Sequence, residues 1–380
     1  MPQATVAFWP HTSSANIAST RIRCLQVVAG LQRLGVDARL LPDKDGPDER
    51  AAPTALVLAK RYDARSVDRA VALREQAGTK LLLDLCDNHF YFKEALPIWQ
   101  TRADELRRAV QAVDAVVAAS PVLAEVVAEQ CPQVKVVHVV PDALDEWPLP
   151  LHWRWADRWQ RLRLWRFFRA HPVAAGRRLI WFGNHGSGYA DGGMQDLSLI
   201  ADALHAHHVR QPLTLTVVSN NAEAWQQLSA PWRLPTFYLP WSMAVFRHTQ
   251  PLHDVALIPA QPNPFTRCKT NNRLATAFVA GQAVAASRLP AYEEFADLAV
   301  LDDWGVGLAA LMADAADRAR RVQQARERLH ARYDIDTVCR QWHAVIRAVG
   351  GAQPSSTPTR TMAAAPAGQK EPHDPLVHRV

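Results

Sequence analysis

Lys269, Asn271, Asn272 and Arg273 crowd into one polar, cationic stretch, Phe265-Thr-Arg-Cys-Lys-Thr-Asn-Asn-Arg273. Ammonium, amide and guanidinium groups at that density suit an anion, and a phosphate above all. The stretch follows an apolar run that ends at proline, Asp254-Val-Ala-Leu-Ile-Pro259. It precedes a short helical segment, Leu274 to Ala280, that stops at Gly281, and then a second apolar run, Ala283-Val-Ala-Ala-Ser287. Strand, polar loop, helix and strand in that order place the loop beyond the carboxyl ends of a parallel sheet, beside a helix N-terminus. Backbone N–H groups and the helix dipole favour negative charge there.

The elements that must position this loop follow from hydrophobic patterning. Short runs rich in Val, Leu and Ile predict strands at Thr5–Pro10, Asp37–Pro42, Thr54–Lys60, Lys80–Asp84, Ala115–Ser120 and Val134–Val140. Between them Ile17, Ile22, Leu25, Val28, Leu31 and Leu34 recur at mostly three- and four-residue steps, and Gly35 supplies a helix stop. Continuous apolar runs without alternation are what strands covered on both faces look like. The pattern restarts with Leu179–Phe182, Leu213–Ser219, Thr236–Leu239, Asp254–Pro259, Ala283–Ser287 and Leu298–Leu301, and a long helix over Asp314–Val349 closes it. The expected fold class is α/β, with two doubly wound Rossmann-like domains facing across a cleft. The expected boundaries are 1–148 for the first domain, 149–175 for a connecting helix, 176–350 for the second domain, and 351–380 for a disordered tail poor in apolar residues.

A chain of 380 residues, 48% hydrophobic and 21% charged, is ordinary for a globular protein of two domains. It has no apolar run of membrane-spanning length, and its start has no basic region followed by an apolar core, so no signal peptide is expected. The five cysteines are scattered and lack a CxxC pair, which argues against a disulfide framework or a zinc site and fits a reducing cytoplasm. The net charge is +6. A basic balance suits nucleic acid, an anionic membrane or an anionic small molecule; arginines concentrate in 152–178 and 317–340 without a zinc-finger or RNP signature, so a nucleic-acid partner is not expected.

One segment stands apart: Leu151-His-Trp-Arg-Trp-Ala-Asp-Arg-Trp-Gln-Arg-Leu-Arg-Leu-Trp-Arg-Phe-Phe-Arg169. As a helix it aligns Leu151, Trp155, Trp159, Leu162 and Trp165 among six arginines. One reading is an interfacial helix on an anionic membrane, at the inner face. The other is a connecting helix whose tryptophans pack on the second domain while the arginines face solvent.

Several segments together resemble the GT-B glycosyltransferases of the retaining, nucleotide-sugar-dependent group 1 type. Val113-Asp-Ala-Val-Val-Ala-Ala-Ser-Pro-Val-Leu-Ala-Glu125 and Val137-His-Val-Val-Pro-Asp-Ala-Leu-Asp145 look like the last two strand regions of their first domain. Leu179-Ile-Trp-Phe-Gly-Asn-His-Gly186 resembles the strand and glycine turn that open the donor domain, and Asp254–Pro259 with Lys269–Ser287 its donor loop and flanking strands. Ser19-Thr-Arg-Ile-Arg23 looks like a first helix of a subset of these enzymes. The likeness covers roughly residues 5–345. It implies transfer of a sugar from a nucleotide-diphosphate donor to a glycan, lipid-linked or surface-polymer acceptor, without a metal ion or other cofactor. Lys269 would neutralise the leaving diphosphate. Gly183 and Gly186 would let the backbone approach the phosphates, with Asn184 and His185 at the lip and Asn272 and Arg273 beside them.

Within that resemblance the polar burst Asp84-Leu-Cys-Asp-Asn-His-Phe90 faces the cleft from the first domain. Asp87 either orients an acceptor hydroxyl or caps the next helix. His89 either bonds the sugar or acceptor or merely packs. Arg21 and Arg23 either reach an anionic acceptor or form a solvated helix face. Tyr292, Glu293 and Glu294 either lie near the ribose, where a carboxylate suits a cis-diol, or are the acid-rich first turn of a helix. The pattern departs from the group 1 type at its two glutamates, whose places hold Cys268 and Thr276, and in Ser187–Met194, where the usual Arg and Lys are absent. A nucleotide-sugar epimerase or phosphorylase, or a non-catalytic sugar-nucleotide-binding module, are the alternatives on the same fold.

Overall fold

The computed structural model describes residues 5–44, 46–48, 51–146 and 154–351. The first sheet holds β1 (Thr5–Pro10), β2 (Asp37–Leu40), β3 (Ala55–Ala59), β4 (Lys80–Leu85), β5 (Ala115–Ala118) and β6 (Val137–Val139), in the order β2-β1-β3-β4-β5-β6. The second holds β7 (Arg178–Phe182), β8 (Thr214–Ser219), β9 (Thr236–Pro240), β10 (Val255–Ile258), β11 (Ala283–Ala286) and β12 (Val300–Leu301), in the order β12-β11-β10-β7-β8-β9. Every pairing is parallel. The expected α/β class and both sets of strands are therefore present.

Apolar residues on both sides of each strand account for this layering. In β3, Leu56 and Leu58 enter one core while Val57, pointing the other way, enters the core on the opposite face. Strand order reverses between β1 and β3 in the first sheet and between β7 and β10 in the second. At such points the loops diverge to opposite faces and leave a crevice beyond the carboxyl ends of the strands. The turn after β7, the loop after β10 and the residues after β3 therefore hold the places where a ligand is expected.

The closing segment differs from the single helix expected over Asp314–Val349. It is two helices, Ala315–Tyr333 and Ile335–Gly351. They are separated at Asp334, whose carboxylate accepts the N–H groups of Asp336 at 2.8 Å and Thr337 at 3.0 Å. An N-cap of this kind restarts a helix in a new direction. The second helix leaves the second domain and buries Val338, Trp342 and Ile346 in the first domain's core, where Trp342 meets Phe8 edge-on at 5.4 Å. Residues 335–350, expected in the second domain, thus pack on the first.

The connecting helix runs Arg154–Ala170. It seats Leu164 and Phe168 on the second domain, and Phe168 meets His253 edge-on at 4.8 Å. The reading in which the tryptophans pack on the second domain does not hold for the two whose side chains are described: Trp159 is 62% exposed and Trp165 45%. Leu151, the side chain of Trp155 and the tail 352–380 lie outside the described residues. Among the described residues no helix is long and apolar enough to cross a membrane.

Candidate functional site

Asp87, two residues past β4, is the centre of the crevice. Its carboxylate is paired with Lys60 from the first domain and with Lys269 from the second. Asp87 is therefore neither a helix cap nor a free carboxylate. Its side chain is only 12% exposed and that of Lys269 38%, so the pair spans the domain boundary and is open to solvent on the lysine side. Burial alone would raise the Asp87 pKa. The adjacent Lys269 and Lys60 outweigh it and hold the carboxyl well below the usual range. Lys60 is in turn held charged, since Asp87 overcomes a desolvation that would otherwise discharge it. Two cations on one carboxylate leave a surplus positive charge in the crevice. Lys60 also carries φ 54°, a left-handed conformation that a non-glycine residue rarely adopts and that is frequent at binding sites.

His89 does not reach the crevice as a ligand group. It is 2% exposed, and its Nδ1 accepts the Tyr62 hydroxyl at 2.6 Å while Arg102 Nε donates to the same hydroxyl at 2.6 Å. Burial, then Lys60, hold its pKa well below 6.5, so the ring is neutral. Its other neighbour is Tyr189 of the second domain, with ring centroids 5.5 Å apart. Tyr189 also meets Trp99 and Phe265 edge-on and lies 4.9 Å from the Arg102 guanidinium, and the Lys93 N–H donates to its carbonyl at 2.8 Å. His89 thus forms part of the socket that docks the loop after β7 onto the first domain. Asn88 does similar work: its amide donates to the Pro264 carbonyl at 3.0 Å.

That loop is the glycine turn. Gly183 and Gly186 have φ 156° and 149°, and a Cβ on Gly193 would lie 2.8 Å from the Gly186 nitrogen. Asn184 Oδ1 accepts the Gly186 N–H at 3.1 Å, and His185 donates through its backbone N–H and Nδ1 to Asn220 Oδ1 at 2.9 and 3.0 Å. Both side chains are exposed at the lip. Arg273 is displaced from its expected role. Its guanidinium lies over Trp181 at 5.0 Å and is bonded to the Phe182 carbonyl, directly beneath Gly183, where a Cβ would stand 3.2 Å away. It braces the turn from below instead of facing a ligand.

The helix Asn272–Ala280 begins beside Lys269, and its first-turn N–H groups have no acceptor within the helix. Alongside it lies a cavity of about 200 Å³ whose lining includes Asp142, Met243, Phe246, Asn271, Asn272 and Thr276. Phe246 touches Phe182 at 5.1 Å, so the cavity adjoins the glycine turn. Asn272 lines this cavity from the first position of the helix. Glu294 is not free for a diol: it accepts Asn271 Nδ2 at 2.8 Å, is bonded by the Tyr333 hydroxyl and pairs with Arg332 at 2.9 Å. Tyr292 is 2% exposed in the second core and cannot touch a nucleotide. Of the two places that lack glutamates, Thr276 lines the cavity, whereas Cys268 is buried among first-domain core residues, its carbonyl accepting the Ser120 hydroxyl at 2.8 Å.

Arg21 and Arg23 are neither solvated nor available. Arg21 is held by Asp145 and the Ala15 carbonyl, both at 2.6 Å, and Arg23 forks onto Asp84 and reaches Asp142 at 2.9 Å. Among the described residues no group of three or more His, Cys, Asp or Glu side chains is placed to hold a metal ion.

No protein-family model matches this chain, and no curated protein matches it. Solved structures do. Anabaena HepE, in complex with UDP and glucose, aligns at 13% identity over 91% of this chain and 100% of that one, with a TM-score of 0.60. A glycosyltransferase from Rickettsia africae aligns at 10% identity over 92% and 99%, with a TM-score of 0.63. A sucrose-phosphate synthase from Thermosynechococcus elongatus aligns at 14% identity over 92% and 100%, with a TM-score of 0.61.

The chain has the GT-B fold. In its GT-B frame Lys60, Tyr62, Arg102, Tyr189 and Phe246 are the crevice and cavity residues that sequence reading missed. Lys60 had a usable signal, because it directly follows a buried strand at the first sheet's switch point. Tyr189 had only its place in a glycine-rich loop.

Proposed function

We propose that this chain is a glycosyltransferase that moves a sugar from a nucleotide-diphosphate donor to a glycan, lipid-linked or surface-polymer acceptor at the inner face of a membrane. The observation that carries the reading is the surplus cation at Asp87: Lys60 and Lys269 converge on one carboxylate, beside a helix N-terminus and an adjoining cavity. A pyrophosphate entering the crevice competes with Asp87 for Lys269, and the ammonium then offsets the charge that builds as the glycosidic bond to phosphate breaks. The proposal includes retention of anomeric configuration and transfer without a metal ion or other cofactor, the charge on the leaving group falling to Lys269 and the helix N–H groups. HepE, with its UDP and glucose, supports a nucleotide-sugar as the donor class. On this reading the nucleoside enters the cavity lined by Phe246 and Thr276, and the sugar lies toward Asp87. Arg273 holds the glycine turn in shape for the phosphates.

Calorimetric titration with UDP, GDP and ADP tests the reading; a folded protein that binds none of them refutes it. A second reading rests on Cys268, which is buried where the group 1 type has a glutamate. On that reading the chain binds a sugar nucleotide without turning it over. Donor binding without hydrolysis or transfer across an acceptor panel would select it.

A further inference from the structure

The connecting helix Arg154–Ala170 carries two apolar faces, and the fold uses only one. Leu164 and Phe168 are seated on the second domain, where Phe168 meets Phe237 and His253 and its carbonyl accepts Arg178 at 3.0 Å. Trp159, Leu162 and Trp165 succeed one another at three-residue steps on the side turned away. Two tryptophans at 62% and 45% exposure on one helix are unusual, because such side chains are ordinarily covered. Between Arg158 and Ala170 there are five arginines, all exposed, and no acidic residue. Arg169 lies over the Trp165 ring at 5.0 Å, which keeps cation and aromatic on the same outer face.

We infer that this face docks on an anionic lipid surface, with Trp159 and Trp165 at the headgroup level and Arg163, Arg166 and Arg169 on lipid phosphates. Charge complementarity selects the partner. A polar protein surface would leave the tryptophans uncovered, and a neutral bilayer would leave the arginines unpaired. Nucleic acid is disfavoured by shape, since a single convex helix with apolar residues between its cations offers no groove for a strand. The helix packs on Met243–Thr249, whose Met243 and Phe246 line the cavity, so docking sets the crevice beside the lipid surface. The role of that placement, access to a lipid-linked acceptor, rests on the transferase reading; the docking does not.

Co-sedimentation of the full chain with phosphatidylglycerol-containing vesicles and with pure phosphatidylcholine vesicles tests it, at low salt and at ~0.15 M. The chain is expected to pellet with the anionic vesicles, less at the higher salt, and to stay in solution with the neutral ones. Arg163→Gln/Arg166→Gln is expected to lower partitioning about 30-fold, from about five-fold per arginine. Trp159→Ala/Trp165→Ala is expected to lower it on the order of tenfold. Both variants should keep the parent melting temperature and nucleotide affinity, so loss of docking and loss of donor binding are read separately. A parent chain that stays in solution with anionic vesicles at low salt overturns the inference. So do variants that pellet like the parent, and so does binding of single-stranded RNA that the variants lose while vesicles bind neither.

Discussion

Arg23 and Lys269 both meet a carboxylate at the crevice, yet the two regions are built for opposite ends. Arg23 is 2% exposed; its fork takes both oxygens of Asp84, and its remaining nitrogen reaches Asp142 and the Val140 carbonyl. Every partner is part of the protein and the guanidinium is saturated. Lys269 shares one carboxylate with Lys60, rests over the Phe265 ring at 4.0 Å, and remains 38% exposed. A planar fork fits fixed, bidentate partners, whereas an ammonium on a flexible stem can change partners at low cost. Position at the crevice does not by itself make a cation a ligand group. What counts is whether the fold has already used its bonding capacity.

The largest expected effect breaks the Arg23 side. Arg23→Met leaves the buried Asp84 and the part-buried Asp142 without their cation and should destabilise the chain by about 3–5 kcal/mol, measured by urea unfolding at neutral pH. A loss below about 1 kcal/mol would mean that the pair is not structural. Lys269→Ala should do the reverse. Its stability should fall by less than about 1 kcal/mol, since a half-exposed ion pair contributes little. Its nucleotide-diphosphate affinity should drop by about 1.5–3 kcal/mol, the usual worth of a hydrogen bond to a charged group, as read by calorimetry. Unchanged affinity with a folded protein would remove Lys269 from the donor site.

How much of this could be read beforehand follows the same division. Strands such as β1, β3 and β10 were legible because parallel strands buried on both faces are local, continuous apolar runs. The glycine turn was legible because Gly183 and Gly186 need backbone freedom that is encoded in place. Arg23 was not, because what saturates it lies 61 and 119 residues away. Arg273 sits two residues into a helix that points at the crevice, and nothing local says that Trp181 and the Phe182 carbonyl will take it. The break at Asp334 did have a local signal, an aspartate followed three residues later by Thr337, masked by a helical pattern on either side. Tyr292 shares its loop with Glu293 and Glu294, and nothing local says that its ring turns into the second core while they stay outside.

Acid should separate the buried histidines from the crevice pair by pH window. His89 and His253 are buried with depressed pKa values, His253 pushed to about 3 chiefly by desolvation. A base whose folded pKa lies below its unfolded value binds more protons when unfolded, so its contribution is complete above pH 6.5 and lost as pH falls through the folded pKa. Each such histidine should lower stability by about 1.4 kcal/mol per pH unit between pH 6.5 and its folded pKa. Asp87 acts later. Its depressed folded pKa gives stability that is present above the ordinary carboxylate value, about pH 4, and lost at lower pH. Unfolding free energies between pH 7 and 5 should therefore fall in the parent and fall less in His253→Gln, while Lys269→Ala follows the parent. A Lys269→Ala profile that flattens in that range would place the crevice pair, not the histidines, in control.

The finest test acts on the shared carboxylate itself. Asp87→Asn keeps the shape of the side chain but removes the charge that competes with a phosphate for Lys269. If the surplus cation is what a donor reads, the variant should bind nucleoside diphosphates more tightly, by up to about 1 kcal/mol or five-fold, the range measured for exposed ion pairs. Its stability should fall at the same time, because Lys60 is left desolvated with no partner carboxylate at Asp87. Opposite signs in affinity and stability are the signature to look for in paired calorimetric and unfolding measurements. A variant that loses both would show Asp87 to be a scaffold for Lys269, like Asp84 for Arg23, and the contrast between the two cations would then be one of exposure alone.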